Sequence, residues 1–186
     1  NPQSITGLGF QPDVVIFFHG SNPTVPTSWS DLIGDAYIGL GFASGSTEQG
    51  ALLGKSADGM DPSDTDRYQV TDHCILTEMA TAYLRAKLNS FDADGFTLGK
   101  TNATGGGGYV GYLALRGGQF HVGNSTQPTA TGTQDITAPG FEAGAVLTMG
   151  HNTTVALASQ NRLSIGAADL NSDYAGWVGD TNNVSP

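Results

Sequence analysis

The sequence predicts an all-β protein: an antiparallel β-sandwich of the jelly-roll type, with an internal repeat and at most one short helix. Glycine contributes 27 of the 186 residues, and only 13% of the residues are charged. Such a composition suits short strands joined by tight turns, and it is poor in the residues that sustain long helices. The second observation is that one apolar pattern occurs twice, near the start of the chain and again from residue 136.

The repeated pattern is a glycine-phenylalanine entry that leads into an apolar run. Four identical residues recur at one offset (136 − 5 = 131), and a shared offset through four identities favours a true repeat over coincidence. The matching pairs are Ile5 with Ile136, Gly9 with Gly140, Phe10 with Phe141 and Val15 with Val146, and Ile38-Gly39 also matches Ile165-Gly166. We therefore expect residues 1–134 to form a first β-sandwich repeat. Residues 135–186 are expected to supply the opening strands of a second repeat, packed with the first as one body.

The first quarter of the chain holds strand patterns separated by a loop pattern. Val14 to Phe18 is an unbroken run of β-branched and aromatic residues, which is typical of a buried strand. Ser21 to Asp35 carries two prolines among small polar residues and predicts a long loop. Ala36 to Ala43 predicts a strand with one apolar face, and the glycines on its other face favour close approach of another sheet or chain. A further short strand is expected from Gln49 to Leu53.

The middle of the chain has strand signals and one segment of helical composition. We expect a strand from Tyr68 to Leu76. Thr77 to Leu88 is rich in alanine and leucine, so it is the one place where a short helix is expected. Ala86 to Thr101 predicts a hairpin that turns at Asp94-Gly95, and Tyr109 to Leu115 predicts a central strand.

The charge of the chain excludes some partners. The net charge is −10 with seven basic residues, and those residues form no cluster. Nucleic-acid binders neutralise phosphates with grouped Lys and Arg, so we expect no nucleic-acid partner and repulsion from anionic lipid. No apolar run approaches the ~20 residues of a membrane span, and the first residues lack the basic and apolar regions of a signal peptide. We expect no membrane partner, and a soluble protein or a mature or excised piece of one.

Ser56 to Asp66 predicts an acidic loop whose carboxylates are the candidate metal ligands of the sequence. Calcium binds six to eight oxygen atoms, and closely spaced aspartates can supply several of them. The spacing departs from the EF-hand order, so a solvated loop is the alternative, and no other cofactor is expected. The candidate calcium ligands are Asp58, Asp61, Asp64 and Asp66.

The remaining motifs argue against catalysis. Gly54-Lys55-Ser56 resembles the end of a phosphate-binding loop, but Gln49 stands where that loop needs a glycine. Cys74 follows Asp72 and His73, an order that suggests a thiol nucleophile. Because neighbouring residues of a strand point to opposite faces, we expect Cys74 to be a core residue that does not pair with His73. No residue is predicted to be catalytic, and the protein is expected not to be an enzyme.

Aromatic side chains suggest an alternative function, carbohydrate binding. Exposed rings can stack on sugar faces, and neighbouring Asn and Asp side chains can bind the hydroxyl groups. Trp29 and Trp177 are the foremost candidates, followed by Tyr37 and Tyr109. Trp29 also fits a second role, as a cap over the core.

Several segments resemble virion-associated proteins of tailed bacteriophages and related environmental viral sequences. They are I-T-G-L-G-F-Q-P-D-V-V-I-F from Ile5, F-D-A-D-G-F-T-L from Phe91, G-Y-L-A-L-R-G-G from Gly111 and V-G-N-S-T-Q-P from Val122. The resemblance implies a structural protein of the virion exterior: a capsid decoration, a head fibre or a tail-fibre module. Its implied partners are other virion proteins and copies of itself, with a host-surface glycan as a further partner. It supplies no catalytic residues.

Overall fold

The computed structural model describes residues 2–20, 36–57, 60–79, 82–103, 109–151, 157–159 and 161–180. These residues form strands and turns, and none of them is helical. Every strand pair among them is antiparallel, so the predicted all-β antiparallel fold is confirmed. The strands are β1 (Pro2–Thr6), β2 (Val14–His19), β3 (Ala36–Ala43), β4 (Gln49–Ser56), β5 (Thr65–Val70), β6 (Ile75–Met79), β7 (Ala82–Asp92), β8 (Gly95–Ala103), β9 (Val110–Leu115), β10 (Ala145–His151), β11 (Leu157–Ser159), β12 (Asn161–Asp169) and β13 (Asp173–Asp180).

The strands form three sheets, which we call sheets I, II and III. Sheet I has the strand order β1-β8-β7-β6, sheet II the order β11-β5-β4-β3-β2-β9, and sheet III the order β10-β12-β13. Sheets I and II share one core cluster, which is how a β-sandwich buries the apolar faces of its sheets. Its buried members are Val15, Phe17 and Ala43 from sheet II, Ile75, Ala86, Leu88, Phe96 and Leu98 from sheet I, and Cys74 from the turn before β6.

Aromatic contacts run from this core to the end strand β9. Phe17 of β2 meets Phe96 of β8 edge to face with ring centroids 5.8 Å apart, and Phe96 meets Tyr112 of β9 in the same way at 5.2 Å. Such pairs contribute about 0.5–1.5 kcal/mol beyond the apolar area that they bury. The predicted buried strand is therefore confirmed for β2, although Phe18 points outward and is 49% exposed.

The predicted close approach at the glycines of β3 is confirmed at Gly41. A Cβ atom there would lie 2.8 Å from the carbonyl carbon of Cys74, and nearer still to its oxygen. Cys74 directly precedes β6 of sheet I, so this glycine lets the two sheets meet. Gly39 has a different neighbour, because a Cβ there would collide with the imidazole of His19 on the adjacent strand.

The predicted hairpin is confirmed, since β7 and β8 are joined by a turn at Ala93 and Asp94. The Asp94 carboxylate accepts hydrogen bonds from the backbone N–H groups of Gly7 and Gly9, at 3.0 and 2.5 Å. Both glycines have positive φ (91° and 75°), a conformation that L side chains rarely adopt. The hairpin turn thus fixes the entry segment that precedes β2.

The helix expected over Thr77 to Leu88 is wrong. The described part of this segment lies in β6 and β7, which pair Ile75 with Ala86 and Thr77 with Leu84. Ala86 and Leu88 are buried in the core at a spacing of two, and Lys87 between them is exposed. That alternation is the period of a strand, and burial against sheet II outweighs the helix propensity of alanine and leucine.

Two other strand predictions also need correction. The strand expected from Tyr68 to Leu76 is interrupted by a turn over residues 71–74, which separates β5 in sheet II from β6 in sheet I. The segment from Tyr109 forms β9 as predicted, but β9 stands at an end of the strand order of sheet II and is not central. Its outward Leu113 is 46% exposed, in keeping with an edge position.

The two copies of the repeated pattern share their entry and then diverge. Gly140 has a φ of 71°, close to that of Gly9, and β2 and β10 begin 131 residues apart (145 − 14). Ile5, however, lies in β1 and pairs with β8, whereas Ile136 lies outside any strand. The internal repeat is therefore not confirmed as a structural unit, and it stays a prediction.

Sheet III contacts the sandwich through one end. Leu163 and His151 are buried there, at 2% and 8% exposure. One ring nitrogen of His151, Nε2, lies 3.2 Å from the carbonyl oxygen of Tyr68 in sheet II, and Nδ1 lies 3.0 Å from the carbonyl oxygen of Arg162. This histidine therefore links the two sheets, while the rest of sheet III extends beyond the contact.

Candidate functional site

The candidate carbohydrate-binding aromatics lie in different settings. Trp29 lies outside the described residues. Tyr37 is half-buried and packs on the cluster of Ala51, Leu53 and Leu76. Tyr109 and Trp177 are 65% and 82% exposed. They lie apart in the fold, because Tyr109 directly precedes β9 of sheet II and Trp177 lies in β13 of sheet III. The structure thus leaves Trp177 as the most accessible ring among the described candidates.

The acidic loop is described in part, because Asp58 lies outside the described residues. Asp61 is exposed, and Asp64 and Asp66 are half-buried. Burial and the neighbouring Asp64 charge raise the pKa of Asp66, and the nearby Lys55 acts in the opposite direction. Within the described part of the chain, no group of three or more His, Cys, Asp or Glu side chains is placed to hold a metal ion. The calcium site stays a prediction.

The thiol of Cys74 is buried, with 0% of the residue exposed, as predicted for a core residue. Burial raises the pKa of Cys74 to about 12. The reactive thiolate is therefore scarce at neutral pH. Its sequence neighbour His73 turns away from the core toward a surface cleft, so the two side chains do not form a nucleophile and base.

One face of sheet III is apolar and largely uncovered. Cross-strand pairing places Leu147, Ala167 and Tyr174 in one row, and Met149 and Ile165 in the next. Leu147 is 57% exposed, Ile165 is 42% exposed and Tyr174 is 74% exposed. The face continues toward the sandwich through Val178, Leu163 and His151. We call this surface, apart from the buried Leu163 and His151, the apolar face of sheet III; it is formed by Leu147, Met149, Ile165, Ala167, Tyr174 and Val178.

A second surface feature is an open cleft beside the core of the sandwich, with a volume of about 500 Å³. It is built by β7, β8 and the turns over residues 44–48 and 71–74. We call it the Arg85 cleft. Its lining side chains are polar or charged: Ser46, Thr47, Thr71, Asp72, His73, Arg85, Lys87 and Thr101.

A chain of hydrogen bonds runs along the cleft. His73 Nδ1 lies 2.7 Å from Asp72 Oδ1, and His73 Nε2 lies 2.6 Å from Thr101 Oγ1. The hydrogen bond from His73, with smaller help from the Arg85 charge, lowers the pKa of Asp72. When Nδ1–H donates to this carboxylate, Nε2 accepts the Thr101 O–H, and the hydroxyl oxygen becomes more polarised.

Thr101 reaches this position because of a β-bulge. Arg85 pairs with Asn102 and Ala86 pairs with Lys100, so Thr101 is the extra residue of β8. A bulge re-aims the side chain of the unpaired residue. Arg85 and Lys87 alternate with the buried Ala86 and therefore lie on the side of β7 away from the core. The cleft can thus offer hydroxyl groups and two cations to one ligand.

The sequence pattern does not reveal this cleft. Asp72 and His73 are adjacent in the sequence, but Thr101 lies 28 residues from His73. Its position depends on a register shift between β7 and β8, for which the sequence carries no local turn or spacing signal. Arg85 and Lys87 alternate with apolar residues, a pattern that places both on one face of a strand.

Among the described residues, no helix is long and apolar enough to cross a membrane. Comparison with protein-family models, with curated protein sequences and with solved structures found no match.

Proposed function

We propose that this chain is a non-enzymatic structural module of the exterior of a phage virion, a capsid decoration or fibre component. It assembles with copies of itself and with other virion proteins through sheet III. The observation that carries this proposal is the apolar face of sheet III, where Leu147, Ile165 and Tyr174 are each more than 40% exposed. The resemblance of the segments from Ile5, Phe91 and Gly111 to virion-associated proteins supports the location.

We expect assembly through this face because sheet III has only three described strands, and such a small sheet is not stable on its own. A small sheet needs an apolar face packed against another element, and contiguous exposed apolar patches mark interaction surfaces. Covering the patch stabilises an assembly by about 25 cal/mol for each Å² of apolar area buried. Among the described strands, β10 and β13 form the edges of sheet III, and such edges offer backbone groups to which a strand of another chain can add.

Sedimentation velocity of the native chain across a concentration series tests the assembly. We expect self-association that Ile165→Glu abolishes, because a carboxylate would be buried at the contact. Leu170→Glu is the matched control, since Leu170 is 76% exposed but lies in the turn between β12 and β13. A native chain that stays monomeric at every soluble concentration contradicts the self-assembly, and so does an unchanged Ile165→Glu variant.

The virion location needs its own test. Antibodies raised against the folded chain should label the outside of intact particles in electron micrographs, and mass spectrometry should find the chain in the purified particles. Particles that lack the chain, or that bind the antibody only after disruption, would refute an exterior structural role.

Carbohydrate binding is a second candidate function, favoured by the exposure of Trp177. A Cβ atom at Gly179 would lie 3.0 Å from the Trp177 ring, so this ring lies along the backbone of β13 with its outer face open to solvent. A flat exposed ring suits the apolar face of a sugar. We expect a glycan-array signal that Trp177→Ala removes and Tyr109→Phe preserves, and a blank array would count against this function.

A further inference from the structure

We propose that the Arg85 cleft binds a saccharide that carries a carboxylate group, such as a uronic-acid oligosaccharide. This inference goes beyond the assembly role, and a different part of the molecule carries it. All the lining residues come from β7, β8 and two turns of the sandwich, whereas assembly is assigned to sheet III.

The size and lining of the cleft indicate a hydrophilic ligand. Ligand pockets commonly enclose about 300–1,000 Å³, and this cleft, at about 500 Å³, falls in that range. Most such pockets are lined by apolar and aromatic side chains, but every side chain that lines this one carries a polar group. A ligand that fills it can therefore form hydrogen bonds at several positions, as a sugar with several hydroxyl groups does.

The positively charged side chains of the cleft indicate that the ligand is negatively charged. The whole chain has seven basic residues against seventeen acidic ones, and Arg85 and Lys87 both line this cleft. Asp72 is the one carboxylate in the lining, and it is engaged by His73, so the cleft keeps an excess of positive charge. Arg85 Nε is buried and has no hydrogen-bond partner among the described residues. A guanidinium suits a carboxylate because it can donate two parallel hydrogen bonds.

The hydroxyl groups of the cleft distinguish a saccharide from a simple anion. Ser46, Thr47 and Thr71 each provide a hydroxyl group that can donate and accept, whereas the Thr101 oxygen is left to accept because its proton is donated to His73. Sugar hydroxyls both donate and accept hydrogen bonds, so they need partners of that kind. His73 is a positioning residue here, because its two ring nitrogens hold Asp72 and Thr101 in place.

Isothermal titration calorimetry of the full chain with tri-galacturonate tests this inference. We expect binding that neutral tri-galactose and inorganic phosphate do not show, that weakens at least tenfold in Arg85→Gln, and that weakens as salt rises. Lys87 is exposed, so Lys87→Gln should fold as the native chain does and should also weaken binding. Arg116→Gln is the matched control, since Arg116 is exposed and does not line the cleft, and its affinity should equal that of the native chain.

Several results would overturn the inference. These are no binding of tri-galacturonate or tri-glucuronate by the native chain, equal binding of phosphate, or unchanged affinity in Lys87→Gln. Hydrolysis of an O-acetylated saccharide by the native chain, lost in Thr101→Val, would replace a binding role by a catalytic one. The Ile165→Glu variant separates the two proposals, because it should lose self-association and keep its affinity for tri-galacturonate.

Discussion

Replacement of Gly41 by alanine probes the contact that joins the two sheets of the sandwich. The added Cβ would lie 2.8 Å from the carbonyl carbon of Cys74 and 3.4 Å from the Ala51 Cβ, with the Cys74 oxygen nearer still. The main obstacle is backbone that leads into β6, so it cannot move aside as a side chain would. Overpacking a core costs about 1–3 kcal/mol, and this contact with backbone belongs at the upper end of that range.

The expected loss of stability follows from two opposed effects. A glycine-to-alanine change restricts the unfolded chain and stabilises the folded state by about 0.4–1 kcal/mol. Subtracted from an overpacking cost of about 3 kcal/mol, this leaves a net loss of about 2 kcal/mol. For a domain of this size that loss lowers Tm by about 4–8 °C.

Differential scanning calorimetry measures this change against two matched variants. Gly176→Ala is the control, since Gly176 lies in β13 and a Cβ there meets nothing within 4 Å, so its Tm should equal or exceed that of the native chain. Gly39→Ala should fall between the two, because its obstacle is the His19 side chain and not backbone. If Gly41→Ala melts at the native temperature, the sheets do not approach as closely as described here.

Three further predictions concern buried and bridging polar groups. Burial lowers the pKa of His19 from 6.5 to about 4, so protonation favours the unfolded chain, and stability that is constant above pH 6.5 falls by about 3 kcal/mol as the pH drops to 4. Urea titrations should show that His19→Gln loses this part of the pH dependence. Asp94→Ala removes the acceptor of the Gly7 and Gly9 N–H groups, so it should destabilise the chain by about 1–2 kcal/mol and lower the urea midpoint. Asp94→Asn should have a smaller effect, because its amide oxygen can still accept a hydrogen bond. Arg67 is 5% exposed, and its Nε and Nη1 lack hydrogen-bond partners among the described residues. Because burying an unpaired charge is costly, Arg67→Met should raise Tm, and a lower Tm would mean that another contact compensates the charge.

Local sequence patterns predicted the strands whose conformation is decided by neighbouring residues. Ala36 to Ala43 coincides with β3, and the turn at Asp94-Gly95 coincides with the end of the β7–β8 hairpin. The helix predicted over Thr77 to Leu88 is wrong because alanine and leucine favour a helix in isolation, whereas burial against sheet II makes this segment a strand in the folded chain. Propensity is a local quantity, and the layer that covers a strand is not.

The Arg85 cleft could not be predicted for a related reason. Its hydrogen-bonded chain joins Asp72 and His73 to Thr101, and the last of these reaches the cleft only through the bulge in β8. Strand register decides which side of a sheet each residue faces, and a shift of one position reverses it. The register of β7 against β8 is set by the packing of Leu88, Phe96 and Leu98 in the core, which no short motif encodes.

The two surfaces proposed for function differ in chemistry in a way that argues for separate partners. The apolar face of sheet III has rows of aliphatic and aromatic side chains, such as Leu147 and Tyr174. A sugar placed there would lose hydration without finding hydrogen-bond partners for its hydroxyl groups. A protein surface of matching shape gains from that face by excluding water. The Arg85 cleft is the reverse case, because its polar side chains would be left unpaired under an apolar partner. We therefore propose assembly through the apolar surface and acidic-saccharide binding in the polar, cationic recess, and because the two surfaces share no residues, each can be removed by substitution without the other.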